Sequence, residues 1–205
     1  MKRKHKKNRR KSIDTPHINY SFEISYDSII DLFNYNEAEK NVINELYFLT
    51  VKKPHNSIIE ILTAIDKYPH LPQLYNYLSV CLYEIDESEK ALNVIKEAID
   101  KFPDYLFNKI NYAEHLLLNN RYTEIPKLFD NKFDLKFLFP NRNVFHISEV
   151  ISFYYIMAHY FLKINMIDKC NMYYEIMHKL GPKDEKTKFI GKQIKNYLKD
   201  NQNGA

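Results

Sequence analysis

Apolar residues recur three and four positions apart along most of this chain, a spacing typical of the buried face of an α-helix. Stop signals divide the pattern, because Lys52-Lys53-Pro54 ends one helix and Gly181-Pro182 ends another. We therefore predict antiparallel helix pairs near residues 37–68, 72–101, 105–130 and 149–180. A final apolar stripe on a Lys-rich helix predicts a C-terminal capping helix. Its members are Phe189, Ile190, Ile194, Tyr197 and Leu198.

Residues 18–26 have a different period, since every second residue is apolar, as in a half-buried strand. The apolar members are Ile18, Tyr20, Phe22, Ile24 and Tyr26. In an otherwise helical chain this segment has no obvious strand partner. It lies extended across the helical array, pairs with its copy in a dimer, or adds to a partner's sheet edge. We prefer the first arrangement because a lone strand is marginal without packing. Asp27 and Ser28 would then cap a short helix.

A short segment of the chain occurs twice. The residues Ala64-Ile65-Asp66-Lys67-Tyr68-Pro69 return, almost unchanged, as Ala98-Ile99-Asp100-Lys101-Phe102-Pro103. A fixed period of about 34 residues is typical of stacked repeats, in which one helix pair buries its apolar face against the next.

Between the two prolines, the residues follow the tetratricopeptide pattern W-x2-L-G-x2-Y, then A-x3-F, then P. The matching positions are Tyr75, Leu78, Ser79, Leu82, Ala91, Ile95 and Pro103. This stretch resembles the tetratricopeptide-repeat family. A second copy lies further along the chain and consists of Tyr154, Met157, Ala158, Phe161, Cys170, Tyr174 and Pro182. The resemblance covers residues 37–200.

The remaining copies follow the pattern less closely. A degenerate copy lies between the two good ones, with Tyr112, Ala113, Leu116, Ile125 and Phe129. The displacement from Tyr75 to Tyr154 exceeds two repeat periods by about three helical turns, which predicts an insertion near 131–148. The apolar residues of this insertion either fill space over the degenerate repeat or form a partly exposed contact patch. Upstream, Asn41, Asn44 and Glu45 occupy motif positions for apolar or small residues, so the first helix there is expected in a shifted register.

The predicted fold is therefore all-α: a tetratricopeptide-like α-solenoid of antiparallel helix pairs with a C-terminal capping helix. Residues 1–12 are expected to be a disordered basic arm, 13–35 an extended segment with a short helix, and 36–200 the repeat domain. In the family that the chain resembles, the first helices line a concave groove that holds a peptide or helix. By helical phase, the groove residues here would be Asn76, Val80, Tyr83, Ile110, Glu114, Leu117, Tyr155, His159 and Leu162. Some family members hold a chaperone's terminal carboxylate with a Lys/Asn/Arg clamp, and these positions contain no such basic set.

Composition excludes several chemistries. The chain has 3 Gly, all late in the sequence, so Gly-rich phosphate loops are excluded. The eight histidines show no metal-ligand spacing, and we predict no metal, no cofactor and no catalytic site. Cys81 and Cys170 both fall on apolar helices, which suits buried reduced thiols and an intracellular, cytoplasmic location. No run approaches the ~18 apolar residues of a membrane span, and no signal peptide is evident.

The net charge of +4 conceals an uneven distribution. Residues 2–11 carry eight basic residues and no acid, which leaves the rest of the chain acidic. The arm consists of Lys2, Arg3, Lys4, Lys6, Lys7, Arg9, Arg10 and Lys11. Such an arm neutralises nucleic-acid phosphates, with a steep salt dependence, approaches an anionic membrane, serves as a nuclear address, or is only a solvated tail, free or lying against the acidic body.

Two functions follow from these features. The leading hypothesis is a non-enzymatic module that binds a protein segment in the concave groove. The alternative is a nucleic-acid- or ribosome-associated accessory protein that uses the basic arm for affinity and the helical array for protein contacts. A helical-array enzyme is a third and weaker hypothesis.

Overall fold

A computed structural model describes residues 22–202, with side chains up to residue 200. The predicted basic arm and residues 13–21 lie outside this range. The described chain is mostly helical, as predicted. Its helices are α1 (Glu37–Lys52), α2 (Pro54–Lys67), α3 (Pro72–Glu84), α4 (Ser88–Lys101), α5 (Leu106–Leu118), α6 (Ile125–Leu128), α7 (Leu135–Leu138), α8 (Ile147–Lys163), α9 (Ile167–Leu180) and α10 (Glu185–Gln202). Short 3-10 helices span Ile29–Leu32 and Tyr122–Glu124, and two strands are β1 (Glu23–Ser25) and β2 (Val144–His146).

The same turn joins the two helices of three pairs. Asp86, Asn120 and Asn165 have left-handed φ angles of 61°, 55° and 59°. In each turn the following amide donates to a carbonyl five residues earlier, on Leu82, Leu116 and Phe161 respectively, at 2.8–2.9 Å. Short polar residues adopt this backbone conformation more readily than other non-glycine residues, and it ends a helix. The spacing from Asp86 to Asn120 equals the sequence period, and the spacing from Asn120 to Asn165 exceeds it by the length of the insertion.

The positions that carry the repeat pattern are largely buried. Tyr75, Leu78, Leu82, Ala91 and Ile95 have at most 8% of their surface exposed. In the second copy, the buried members are Tyr154, Met157, Ala158, Phe161 and Cys170. Large side chains three and four residues apart therefore form the core between helices, while Ser79, Ala91, Ala98, Ala113 and Ala158 permit close approach.

The third pair has almost no second helix. Pro126 lies in the first turn of α6, where proline is tolerated, but α6 ends at Leu128. Asp130 and Asn131 both have left-handed φ angles, which prevents the helix from continuing. The insertion occupies the place that a full second helix would take, since Leu135 and Leu138 are buried in the same core. Phe137 nevertheless stays 71% exposed, so the filler interpretation holds for most of this segment.

The N-terminal segment has a strand partner that the sequence did not reveal. Strand β1 pairs in parallel with β2 of the insertion, Ile24 opposite Phe145. Phe22 packs edge-on against Phe145, with ring centroids 4.9 Å apart. The chain then continues to Tyr35, whose hydroxyl donates to Gln73 Oε1 at 3.1 Å. Residues 22–36, here called the N-terminal strap, thus contact both the insertion and α3.

Two hydrophobic clusters make up the core of the described residues. One joins α1 to α4 and includes Ile30 of the strap, whereas the other joins α5 to α10 and includes Phe22. Polar contacts bridge the boundary, where Asn108 Nδ2 donates to the carbonyl of Ala98 at 3.1 Å. The strap spans the same boundary, because Phe33 lies 6.0 Å from the Tyr105 ring. The strap therefore links the two clusters.

A buried ion pair fixes the insertion to α8. The Arg142 guanidinium donates two hydrogen bonds to Glu149, at 2.9 and 2.5 Å, and its Nε donates to the carbonyl of Val144. Glu149 is 1% exposed, and it also accepts from the His146 amide at 2.9 Å as part of a capping box. A buried carboxylate requires such partners, because desolvation penalises an unpaired charge.

We predict that Arg142→Ala lowers the free energy of unfolding by about 3–5 kcal/mol, because Glu149 stays buried without its partner. Urea denaturation followed by circular dichroism measures this loss. The matched control is Arg121→Ala, which breaks the exposed Arg121–Glu124 pair. That control should leave the urea midpoint unchanged within error. Equal losses for both variants would contradict the structural role of the Arg142–Glu149 pair.

Candidate partner-binding face

The first helices of successive pairs lie side by side. Helix α1 contacts α3, and α5 contacts α8, which in turn contacts α10. Side-chain hydrogen bonds connect α3 to α5. The outward stripe of these helices contains seven of the nine predicted groove residues in half-buried or exposed positions. We call this stripe the first-helix face.

Polar contacts between α3 and α5 order the middle of this face. Asn111 Nδ2 donates to Asn76 Oδ1, and the Tyr83 hydroxyl lies 3.1 Å from His115 Nδ1. Val80 lies between Asn76 and Tyr83 on α3, one helical turn from each, and is 37% exposed. Partial burial raises the pKa of Tyr83, so its hydroxyl stays protonated. The middle of the face thus presents amide and hydroxyl groups beside an exposed apolar side chain.

Helix α1 contributes apolar residues that the sequence analysis did not assign to the face. Tyr47, Phe48 and Val51 are 50%, 58% and 65% exposed. Tyr47 lies 6.1 Å from the Tyr77 ring of α3, which places it beside the α3 part of the face. The motif could not locate these residues because α1 departs from its register. The signal in the sequence was their spacing, since Val51 follows Phe48 by three residues and Tyr47 by four.

The C-terminal helix covers the other end of the face. Lys186 of α10 pairs with Glu114 of α5, and its Nζ also lies 4.9 Å from the Tyr155 ring centroid. Phe189 contacts both Tyr155 and His159, at 5.9 and 5.5 Å between ring centroids. Burial raises the pKa of Tyr155 to about 12, followed by a smaller effect of Glu114. These predicted groove residues therefore contact α10, while Leu162 nearby is half-buried.

Two predicted groove residues require correction. Ile110 and Leu117 are 1% and 4% exposed, so neither offers surface to a partner. Both belong to the core that α5 shares with α8. Helical phase alone missed this burial because it does not show which helices pack against α5, and α5 contacts both α4 and α8. Leu118, at the end of α5, is 83% exposed instead.

The described residues offer little for metal or nucleophilic chemistry. They contain no group of three or more His, Cys, Asp or Glu side chains that could hold a metal ion. Cys81 and Cys170 are free and buried. Burial raises the pKa of the Cys170 thiol to about 11 and also raises that of Cys81, so both thiols are poor nucleophiles at neutral pH. Within residues 22–202, no helix has the length and apolarity that crossing a membrane requires.

Comparison with models of known protein families, with curated proteins and with solved structures found no match.

One histidine of the face makes stability depend on pH. His159 Nδ1 is buried without a hydrogen-bond partner. Desolvation, and then nearby Lys163, lowers the pKa of His159 to about 4. In the unfolded chain a histidine titrates near pH ~6.5, so the unfolded state binds more protons between these values. The contribution of neutral His159 is therefore present above pH ~6.5 and is lost as the pH falls towards 4.

We predict that His159→Phe, which keeps an aromatic ring beside Tyr155 and Phe189, reduces the loss of stability between pH 6.5 and 4. The slope of unfolding free energy against pH should fall by up to about 1.4 kcal/mol per pH unit. Some dependence should remain, because burial also lowers the pKa values of His115 and His146. Urea denaturation at a series of pH values measures the slope. An unchanged slope would show that His159 is not buried in its neutral form.

Proposed function

We propose that this chain is a tetratricopeptide-like α-solenoid whose first-helix face forms a concave groove, and that this groove binds a segment of another protein without catalysis. The observation that carries the proposal is the open part of the face, from α1 to α5. There Tyr47, Phe48, Val51, Val80 and Leu118 are 37–83% exposed. Exposed apolar side chains gathered on one face are characteristic of a contact site.

A polypeptide segment suits the chemistry of this face. Such a segment brings both apolar side chains and backbone amide and carbonyl groups. The carboxamides of Asn76 and Asn111 offer donors and acceptors for the backbone, and the exposed aromatic rings of α1 offer apolar contact area. The face offers few partners to a charged ligand, because Glu114, the acid among the predicted groove residues, already pairs with Lys186.

The proposed groove is shorter than the sequence indicates. Helix α10 contacts Tyr155, His159 and Glu114, so the segment would occupy the surface from α1 to α5. Tyr83 and Val80 lie at the centre of that surface. Exposed aromatic residues at the centre of an interface often contribute most of the binding energy. Tyr155, by contrast, is assigned mainly to the packing of α10.

The test uses a peptide selected on the immobilised protein from a random-peptide display library, with affinity measured by fluorescence anisotropy. We predict that Val80→Asp and Tyr83→Ala each weaken binding by about tenfold or more. Leu78→Ala, on the same helix but 6% exposed, should instead cost about 2–5 kcal/mol of stability through the cavity it leaves. Met172→Asp, at an exposed position on α9, serves as the matched control and should leave affinity unchanged.

Two outcomes would contradict the proposal. If Val80→Asp binds the peptide as wild type does and Met172→Asp does not, the segment binds elsewhere. If Tyr83→Ala unfolds the protein as severely as Leu78→Ala while the folded fraction still binds, Tyr83 belongs to the core.

Co-purification from native lysate with and without nuclease distinguishes the alternative function. A partner lost on nuclease treatment, and on deletion of residues 2–11, would favour nucleic-acid association through the arm.

A further inference from the structure

The two ends of the helical array differ in surface character. At the C-terminal end, α10 exposes Lys188, Lys192, Lys195 and Lys199, a polar outer surface of the kind that terminates a stack of helices. At the N-terminal end, a groove of about 400 Å³ lies between α1 and α2. Apolar residues from both helices line it, including Val42, Leu46 and Ile59. The N-terminal end therefore exposes apolar side chains, Ile59 and Leu62 among them, beside the charged Glu60 and Lys67.

The surface around this groove combines apolar residues of very different exposure. Ile59 stands at the groove and is 77% exposed, whereas Leu46 in the groove wall is 6% exposed. One surface thus carries both an apolar projection and an apolar recess. A two-fold contact requires this combination, because the same patch serves both partners.

Three charged residues line the groove, Glu45 on α1 and Glu60 and Lys67 on α2, and the two on α2 are opposite in sign. Glu60 and Lys67 both line it, and they lie two helical turns apart on one side of α2. If the α2 helices of two copies run antiparallel, each Glu60 faces a Lys67 of the other copy. Neither residue has an ion-pair partner among the pairs found within the described residues.

From this surface we propose that the chain forms a two-fold symmetric dimer through the α1–α2 end. The α2 helices pack antiparallel, Ile59 of each copy enters the groove of the other, and Glu60 pairs with Lys67 across the axis. In repeat proteins the terminal repeat normally has a polar outer face. Pairing of the α1–α2 ends of two copies buries the exposed apolar area of both. The contact uses a different side of the first pair from Tyr47 and Val51. The first-helix face therefore remains free, and the dimer does not depend on the proposed function.

Sedimentation equilibrium of the full 205-residue chain tests this proposal over low to high micromolar concentrations. Wild type should change from 24.7 kDa towards twice that mass as concentration rises. Ile59→Asp should raise the dissociation constant by about tenfold or more, because it places a charge in the apolar contact. Leu118→Asp, at a position that is 83% exposed on α5, is the matched control and should dimerise as wild type does. Circular dichroism confirms that each variant is folded.

Charge reversal tests the antiparallel arrangement. Glu60→Lys and Lys67→Glu should each weaken the dimer, because each places like charges opposite one another. The double variant Glu60→Lys/Lys67→Glu should restore the dimer. A wild-type chain that stays monomeric throughout the concentration range would overturn the proposal, as would an Ile59→Asp variant that dimerises like wild type. Failure of the double variant to recover would overturn the antiparallel pairing of α2.

Discussion

The structure depends on one constraint: a pair of amphipathic helices cannot bury its apolar surface alone. Each pair therefore relies on the next for the rest of its core. The consequence is clearest at the third pair, where the second helix ends after one turn. There the insertion contributes Leu135, Leu138 and Phe145 to the core, and the N-terminal strap adds Phe22. The cluster that joins α5 to α10 thus stays packed, despite the missing helix, through segments that are not part of the helix pairs.

Polar interactions also hold the irregular segments in place. The second, third and fourth pairs are joined by the repeated turns at Asp86, Asn120 and Asn165, which satisfy helix-end carbonyls through the backbone. The insertion begins with a similar turn, in which the Asn131 amide donates to the carbonyl of Pro126, and further along Arg142 binds both the carbonyl of Val144 and the carboxylate of Glu149. The strap depends on short strand pairing and ring contacts. In the insertion, hydrogen bonds and an ion pair thus add to the packing that holds the helices together.

The sequence predicted what depends on local pattern. Most helix bounds and the buried residues of the motif follow from the helical period, but in the third pair the second helix ends early, at Leu128. It could not predict contacts between distant segments. The pairing of Ile24 with Phe145 joins residues far apart in the chain, and a three-residue strand has little signature of its own. Likewise, helical phase identifies the side of a helix but not its neighbour. Ile110 is buried against α8, and Tyr155 contacts α10, for reasons that lie outside their own helices.

The central claim is that a protein segment binds the open part of the first-helix face. Site-specific photo-cross-linking tests it most directly, with benzoylphenylalanine placed at Val80 or at Phe48, and at Met172 of α9 as the control. The display-selected peptide serves as the probe. We expect cross-links from Val80 and Phe48 and none from Met172. Cross-links from Met172 with none from Val80 would contradict the account, because the segment would then bind the opposite side of the helix pairs.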